Sequence, residues 1–257
     1  MTHTITAEVR MIMGLPFSLH LGPGAEPAPG AEVEAMWLEL ERYDRIFSTY
    51  RRDSQICRHF RGELALGRCD PAVAEVLALA DTARRRTRGV FDIHGPAGPD
   101  PSGVVKGWAT QISFARTGIE HGYLNAGGDL VLAGPDRCWR IGIEHPADPG
   151  GLLTVVEIGS GAIATSGRAH RGDHLWDPRT HETSHTRWQA TVIGPDLVWA
   201  DILATAASIT GPDGFRTLDW PAGYQALLSD RLGVVHATPG IDRHLAADAP
   251  ALVRRFL

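Results

Sequence analysis

Residues 123–165, YLNAGGDLVLAGPDRCWRIGIEHPADPGGLLTVVEIGSGAIAT, decide the fold class. Short β-like runs stand in this stretch at 130–132, 139–143, 153–158 and 162–165, separated by turns that carry glycine or proline. A further run follows at 188–193, then a helix over about 200–209 that Gly211-Pro212 ends, and runs at 224–228 and 234–237 that read as a terminal hairpin. Upstream the period changes. Val33, Met36, Trp37, Leu40, Tyr43, Ile46 and Phe47 recur at helical spacing and predict a long amphipathic helix. A second helix is expected over about 72–88, with Val73, Val76, Leu77 and Ala80 on one face and Arg84, Arg85 and Arg86 at a solvated C-terminal end. Residues 4–21 alternate as one or two strands, and the Pro/Gly-rich segment 22–30 closes them off. Helices and strands come in blocks rather than in strict alternation, which predicts an α+β fold.

A chain of 257 residues with 43% hydrophobic composition can bury a sizeable core, which excludes a disordered polymer. The formal net charge of -5 leaves no basic footprint for nucleic acid, so a phosphate-bearing ligand has to be held by local groups, and a metal ion would meet that need. Cys57, Cys69 and Cys138 are odd in number, far apart and without CxxC spacing, which argues against a disulfide framework or a cysteine zinc site and for buried thiols. The first 21 residues lack the pattern of a secretion signal, and no window approaches the roughly 20 apolar residues of a membrane span. The expectation is a cytoplasmic protein without direct membrane insertion.

Of 25 basic residues one is a lysine, Lys106, and the other 24 are arginine. A single retained ammonium reads either as compositional drift or as a position whose chemistry needs a compact charge.

Four segments hold residues of chemical interest. In 100–107, DPSGVVKG, Gly103 and Gly107 bracket Lys106; a turn with a surface lysine is the simpler reading, and a close backbone approach to a phosphate the functional one. In 125–129, NAGGD, Gly127 and Gly128 suit either a nest of N–H groups for a phosphate or a tight turn between strands. In 164–178, ATSGRAHRGDHLWDP, the hydroxyls of Thr165 and Ser166 beside Gly167 precede His170, Asp173, His174 and Asp177, where a histidine near neutral pKa has carboxylates to orient it. The pairs His170/His174 and His181/His185 share H-x3-H spacing, a zinc pattern on a helix, but Gly172 and Pro178 argue against a helix here. In 200–206, ADILATA, Asp201 and Thr205 lie four apart on one helix face, where carboxylate and hydroxyl suit a hard cation; a helix acid with a threonine bonded back to its own helix is the plainer alternative.

The ordered set of blocks resembles the ApbE family of FAD:protein FMN transferases over roughly residues 11–211. Met13-Gly14 is similar to the family's early Met-Gly block, 47–56 (FSTYRRDSQI) to its serine-tyrosine block, and Phe91-Asp92 to the start of its FDPT segment. Residues 100–107 resemble its DLGGIAKG block and 125–129 its NxGGD; 165–167 with 174–180 resemble its TSG and HIIDPxTG, and 201–205 its DALAT.

The resemblance implies the family's α+β architecture, a single large domain of mixed sheets and helices over residues 1–257, related to the T-fold. It implies that FAD is the substrate, that Mg2+ sits on the Gly103 carbonyl, Asp201 and Thr205, and that FMN passes to a Thr or Ser of an acceptor flavoprotein with release of AMP. FAD would be contacted by Met13, Phe91, Asp92, Asp100 and Lys106, by Gly127 and Gly128, by Thr165, Ser166 and Gly167, and by Leu175 and Trp176 beside His174. His174 is the expected base for the acceptor hydroxyl, with Asp201 as its catalytic companion through the metal. An FAD pyrophosphatase and a non-catalytic flavin-binding scaffold are the alternatives. The chain departs from the family pattern in three places. Only seven residues separate Asp92 from Asp100, where the family has a longer stretch; His94 and Pro101-Ser102 replace a threonine and Leu-Gly; and Gln111 stands where an acid is common.

Overall fold

The computed structural model describes residues 6–22, 30–96, 98–134, 138–167, 176–180, 182–183 and 187–254. In chain order, strands β1 (Thr6–Ile12) and β2 (Leu15–Leu21) precede helices α1 (Gly30–Phe47), α2 (Gln55–Phe60) and α3 (Pro71–Arg86). Two-residue strands β3 (His94–Gly95) and β4 (Gly98–Pro99) then lead into α4 (Ser102–Ala115). The strand-rich part holds β5 (Gly122–Ala126), β6 (Asp129–Ala133), β7 (Trp139–His145), β8 (Asp148–Ile158) and β9 (Gly161–Ser166). After the short β10 (Trp176–Asp177), β11 (Glu182–Thr183) and β12 (Gln189–Gly194) come α5 (Leu197–Thr217), β13 (Gln225–Ser229), β14 (Val234–Ala237) and β15 (Val253–Arg254).

Nine strands form one sheet in the order β1-β2-β5-β6-β9-β12-β13-β14-β15. Its pairings are antiparallel except for β14 with β15. Period-2 alternation divides the side chains between two faces. Val131, Ala162, Ala164, Ala190, Val192, Ala226 and Leu228 pack under the helices with Trp37, Leu40, Trp108 and Ile202. Leu130, Leu132, Ile163, Ile193 and Leu227 pack on the other face against Ile143, Leu153, Val156 and Ile158 of the β7–β8 hairpin. Covered on both faces, the central strands read as near-continuous apolar runs, which is why 130–132 and 162–165 announced themselves.

The helices follow from their caps and stripes. Met36, Trp37, Leu40, Tyr43, Ile46 and Phe47 form the buried face of α1, and burial of each large side chain contributes about 1.5–3 kcal/mol. Asp70 caps α3 by accepting the Ala72 N–H at 3.0 Å, with Pro71 behind it. The expected end at Gly211-Pro212 is a kink: Gly211 takes φ 61°, ψ -159°, and Pro212 starts a further helical stretch to Thr217. Two expectations are corrected. Residues 102–115 are helical rather than a surface turn, and the thiols are not core groups, since Cys57 and Cys69 are half-buried and Cys138 is exposed. No helix among the described residues is long and apolar enough to cross a membrane.

Candidate functional site

Hairpin tips gather the site. Met13 and Gly14 join β1 to β2 with φ of 53° and 73°, and Gly127 and Gly128 join β5 to β6 with φ of 62° and 106°. Two-residue connections with both φ positive match the right-handed twist of the strands they join. Because β2 pairs with β5, with Phe17 opposite Ala126, the two tips lie side by side. Leu15 packs over Gly127, where a methyl group would stand 3.2 Å from its Cδ1. The Gly127 N–H donates to the Pro16 carbonyl at 3.1 Å and the Gly128 N–H to Asn125 Oδ1 at 2.8 Å. Of the two readings of NAGGD, the tight turn is the one built, since both N–H groups are bonded within the protein.

A cavity of about 1010 Å3 opens beside these tips, at the upper end of the range usual for small-molecule sites. Helices α4 and α5 supply its charged end. Asp100 Oδ1 accepts the Ser102 N–H at 2.9 Å and so caps the start of α4. One turn on, the Lys106 side chain is 12% exposed and its Nζ is ion-paired with Asp129 and, at 3.3 Å, with Asp201 Oδ2. Asp129 Oδ1 accepts the Thr165 N–H at 2.9 Å. Thr205, one turn after Asp201, directs its Oγ1 to Ser166 Oγ at 3.5 Å, so the back-bonded alternative does not describe it. Gly103 lies in the first turn of α4, and a methyl group there would meet the Phe91 ring at 3.2 Å.

The opposite wall was not foreseen from the sequence. Tyr123, Leu130, Ile141, Ile143 and Ile163 make it apolar, and Glu144 and Gln189 add polar groups. Tyr123 stacks on His20 at 4.4 Å and meets Trp139 edge-on at 5.0 Å. Burial pushes the Tyr123 phenol up and the His20 imidazole down, so both stay neutral near pH 7. Glu144 sits where the β7–β8 register shifts; its Oε1 accepts the Gly150 N–H at 3.1 Å and its carbonyl accepts Gln189 Nε2 at 2.8 Å. The bulge depends on the register of β7 against β8 and the Gln189 contact spans 45 residues, and no local pattern announces either.

Met13, Phe91, Asp100, Gly103, Lys106, Gly127, Gly128, Thr165, Ser166, Gly167, Asp201 and Thr205 all line this cavity. Asp92 and Trp176 do not stand among its lining residues. The Asp92 carboxylate faces its own chain, accepting the His94 N–H at 3.0 Å, His94 Nδ1 at 2.8 Å and Arg84 Nε at 3.0 Å. Trp176 lies near the β3–β4 turn, its Nε1 3.9 Å from the position of a methyl group on Gly95. His174, Leu175 and His170, and with them His181 and His185 of the zinc alternative, lie outside the described residues. Two of the departures have structural roles. Within the short segment His94-Gly95 pairs with Gly98-Pro99 as β3 and β4, and Gln111 Oε1 accepts the first N–H of α5, that of Leu197, at 2.8 Å.

The family model for the ApbE family matches residues 13–97 and 96–228. The chain belongs to the ApbE family. The FAD:protein FMN transferase of Escherichia coli (strain K12) is 24% identical over 261 residues, covering 74% of either chain. The ApbE protein of Thermotoga maritima superposes with a TM-score of 0.82 at 18% identity over 95% of this chain and 100% of that one. Flavin transferase ApbE from Vibrio cholerae gives 0.79 at 20% identity, over 95% of this chain and 100% of that one. These likenesses show an ApbE-like α+β fold.

The donor set fits the cation expected of the site. The Asp201 carboxylate and the Thr205 hydroxyl belong to residues that line the cavity with Gly103, and both are hard oxygen donors suited to Mg2+, which is held by few protein ligands and completed by phosphate or water. No group of three or more His, Cys, Asp or Glu side chains gathers as a metal cage among the described residues.

Proposed function

We propose that this ApbE-family chain is an Mg2+-dependent FAD:protein FMN transferase, with FAD as substrate and a Thr or Ser of an acceptor flavoprotein as the group modified. The observation that carries the reading is the Asp201–Thr205 pair, one helical turn apart and beside ion-paired Lys106, at the charged end of a cavity large enough for a dinucleotide. The identity of the Escherichia coli relative supports the same reaction.

In the transfer, the acceptor hydroxyl oxygen forms a bond to the FMN phosphorus. The bond from that phosphorus to the bridging oxygen breaks, and AMP leaves with the oxygen and its electron pair. The hydroxyl proton passes to a base, for which His174 is proposed. Lys106 presents its ammonium to the pyrophosphate as a compact donor. The Gly103 carbonyl, Asp201 and Thr205 would hold Mg2+, which offsets negative charge on the breaking pyrophosphate. The apolar wall from Tyr123 to Ile163 suits a flat aromatic ring system, and Tyr123 is held in it by its stack on His20.

Purified protein is incubated with FAD, Mg2+ and an acceptor bearing a Thr-containing target segment, and denaturing electrophoresis is read for flavin fluorescence. A fluorescent acceptor band that disappears in Asp201→Ala and His174→Ala supports the reading. AMP release without a labelled acceptor assigns the chain to FAD hydrolysis instead, and tight FAD uptake without AMP assigns it to flavin binding.

A further inference from the structure

We infer that Asp129 is a positioning residue of this site, one that fixes the Lys106 ammonium relative to Asp201 and thereby sets the affinity for Mg2+; the inference rests on the transferase reading above. Asp129 opens β6 directly after the Gly127-Gly128 tip and is 2% exposed. It shares the parity of Val131, whose side chain packs under the helices. Between β6 and β9 the ladder pairs Leu130 with Ile163, Val131 with Ala162 and Leu132 with Gly161, and it ends there. Past its end the Asp129 side chain takes over, with Oδ1 accepting the Thr165 N–H at 2.9 Å in place of a main-chain acceptor. Its other oxygen, Oδ2, holds Lys106 Nζ. One carboxylate therefore ties α4 to the end of β9, where Thr165, Ser166 and Gly167 line the cavity.

The consequence is electrostatic. Lys106 Nζ lies 3.3 Å from Asp201 Oδ2, on the carboxylate that would help to hold the proposed cation. An ammonium anchored by a second buried carboxylate can give up part of its hold on Asp201 and keep a counter-charge. With Asp129 neutralised, the ammonium depends more heavily on Asp201 and competes with the cation for it. Asp129→Asn separates this role from the architectural one, because the amide keeps an oxygen for the Thr165 N–H while its NH2 group carries no charge and cannot accept from Lys106 Nζ.

The test titrates Mg2+ calorimetrically into FAD-loaded protein, with FAD affinity followed separately by flavin fluorescence. Wild type, Asp129→Asn, Asp129→Glu, Lys106→Met and the Asp129→Asn/Lys106→Met double variant are compared. Asp129→Asn is expected to weaken Mg2+ at least tenfold while Asp129→Glu, which keeps the charge, stays within about threefold of wild type. In the Lys106→Met background the Asp129→Asn effect is expected to shrink below threefold, since there is then no ammonium to redirect. An equal loss in both backgrounds overturns the inference, because Asp129 would then act without Lys106. A wild type that binds FAD and Mg2+, matched by Asp129→Asn, also removes this inference and leaves the transferase reading standing. A wild type that binds neither removes both.

Discussion

Gly107 of α4 lies against the main chain of α5: a methyl group on it would stand 3.1 Å from the Leu197 carbonyl oxygen and 3.2 Å from the Val198 Cα. The obstacle is backbone, which cannot rotate away as a side chain can. Gly107→Ala is therefore expected to force the helices apart and to destabilise the fold by about 1–3 kcal/mol. As Lys106 and Asp201 stand on these two helices, the Mg2+ concentration for half-maximal transfer should rise as well. Urea denaturation and an Mg2+ titration of activity check the two effects; unchanged stability would mean that the helices slide past each other freely.

Thr205→Val replaces the hydroxyl that faces Ser166 with a methyl group of similar shape. Stability should change by no more than about 1 kcal/mol, since one weak hydroxyl contact is lost. Transfer should be lost at limiting Mg2+ and partly restored when the cation is raised. A variant with the wild-type Mg2+ response takes Thr205 out of the proposed donor set.

Met13 holds φ at 53°, a left-handed conformation that a long side chain adopts at a cost of about 1–3 kcal/mol. Asparagine tolerates this region better. Met13→Asn should leave the fold as stable or more stable by up to about 1 kcal/mol, and should weaken FAD several-fold because an apolar lining group is gone. Thermal melting and fluorescence quenching separate the effects, and unchanged FAD affinity would show that Met13 serves the turn alone.

Asp92 gives a pH prediction. Burial pushes its carboxyl up, but the His94 N–H, the His94 ring and Arg84 together outweigh burial and hold it below the usual 3.8. A group depressed in the folded state contributes stability that is complete above its unfolded pKa and fades as pH falls through the folded one. Asp92→Asn should therefore lower stability near pH 7 and flatten the loss below about pH 4 that the wild type shows. Parallel acid limbs in chemical denaturation would contradict this.

The elements with local signatures were legible in the sequence. The stripe from Met36 to Phe47 marked α1, the apolar face of Val73, Val76 and Ala80 marked α3, and short apolar runs marked the central strands. Helix α4 was hidden because its cap comes from Asp100, two residues before the first helical position, with Pro101 and glycine at 103 and 107 between and after, a composition that reads as a turn. The residues brought to the cavity from α4, α5 and the hairpin tips were visible as separate blocks. Their relation to one another was not, because Asp129 reaches Lys106 and Thr165 across 23 and 36 residues. Glu144 depended on a register shift between strands, and register is a property of pairing rather than of either strand by itself.

That the chain holds one lysine and that this lysine lines the cavity makes the site chemically addressable without any engineering. An amine-selective reagent has a single ε-amino group to find, and that group is held in ion pairs with Asp129 and Asp201. Mass spectrometry of the tagged peptide would then serve as an occupancy gauge: a bound dinucleotide shields that amine, and whatever loosens its two carboxylates exposes it.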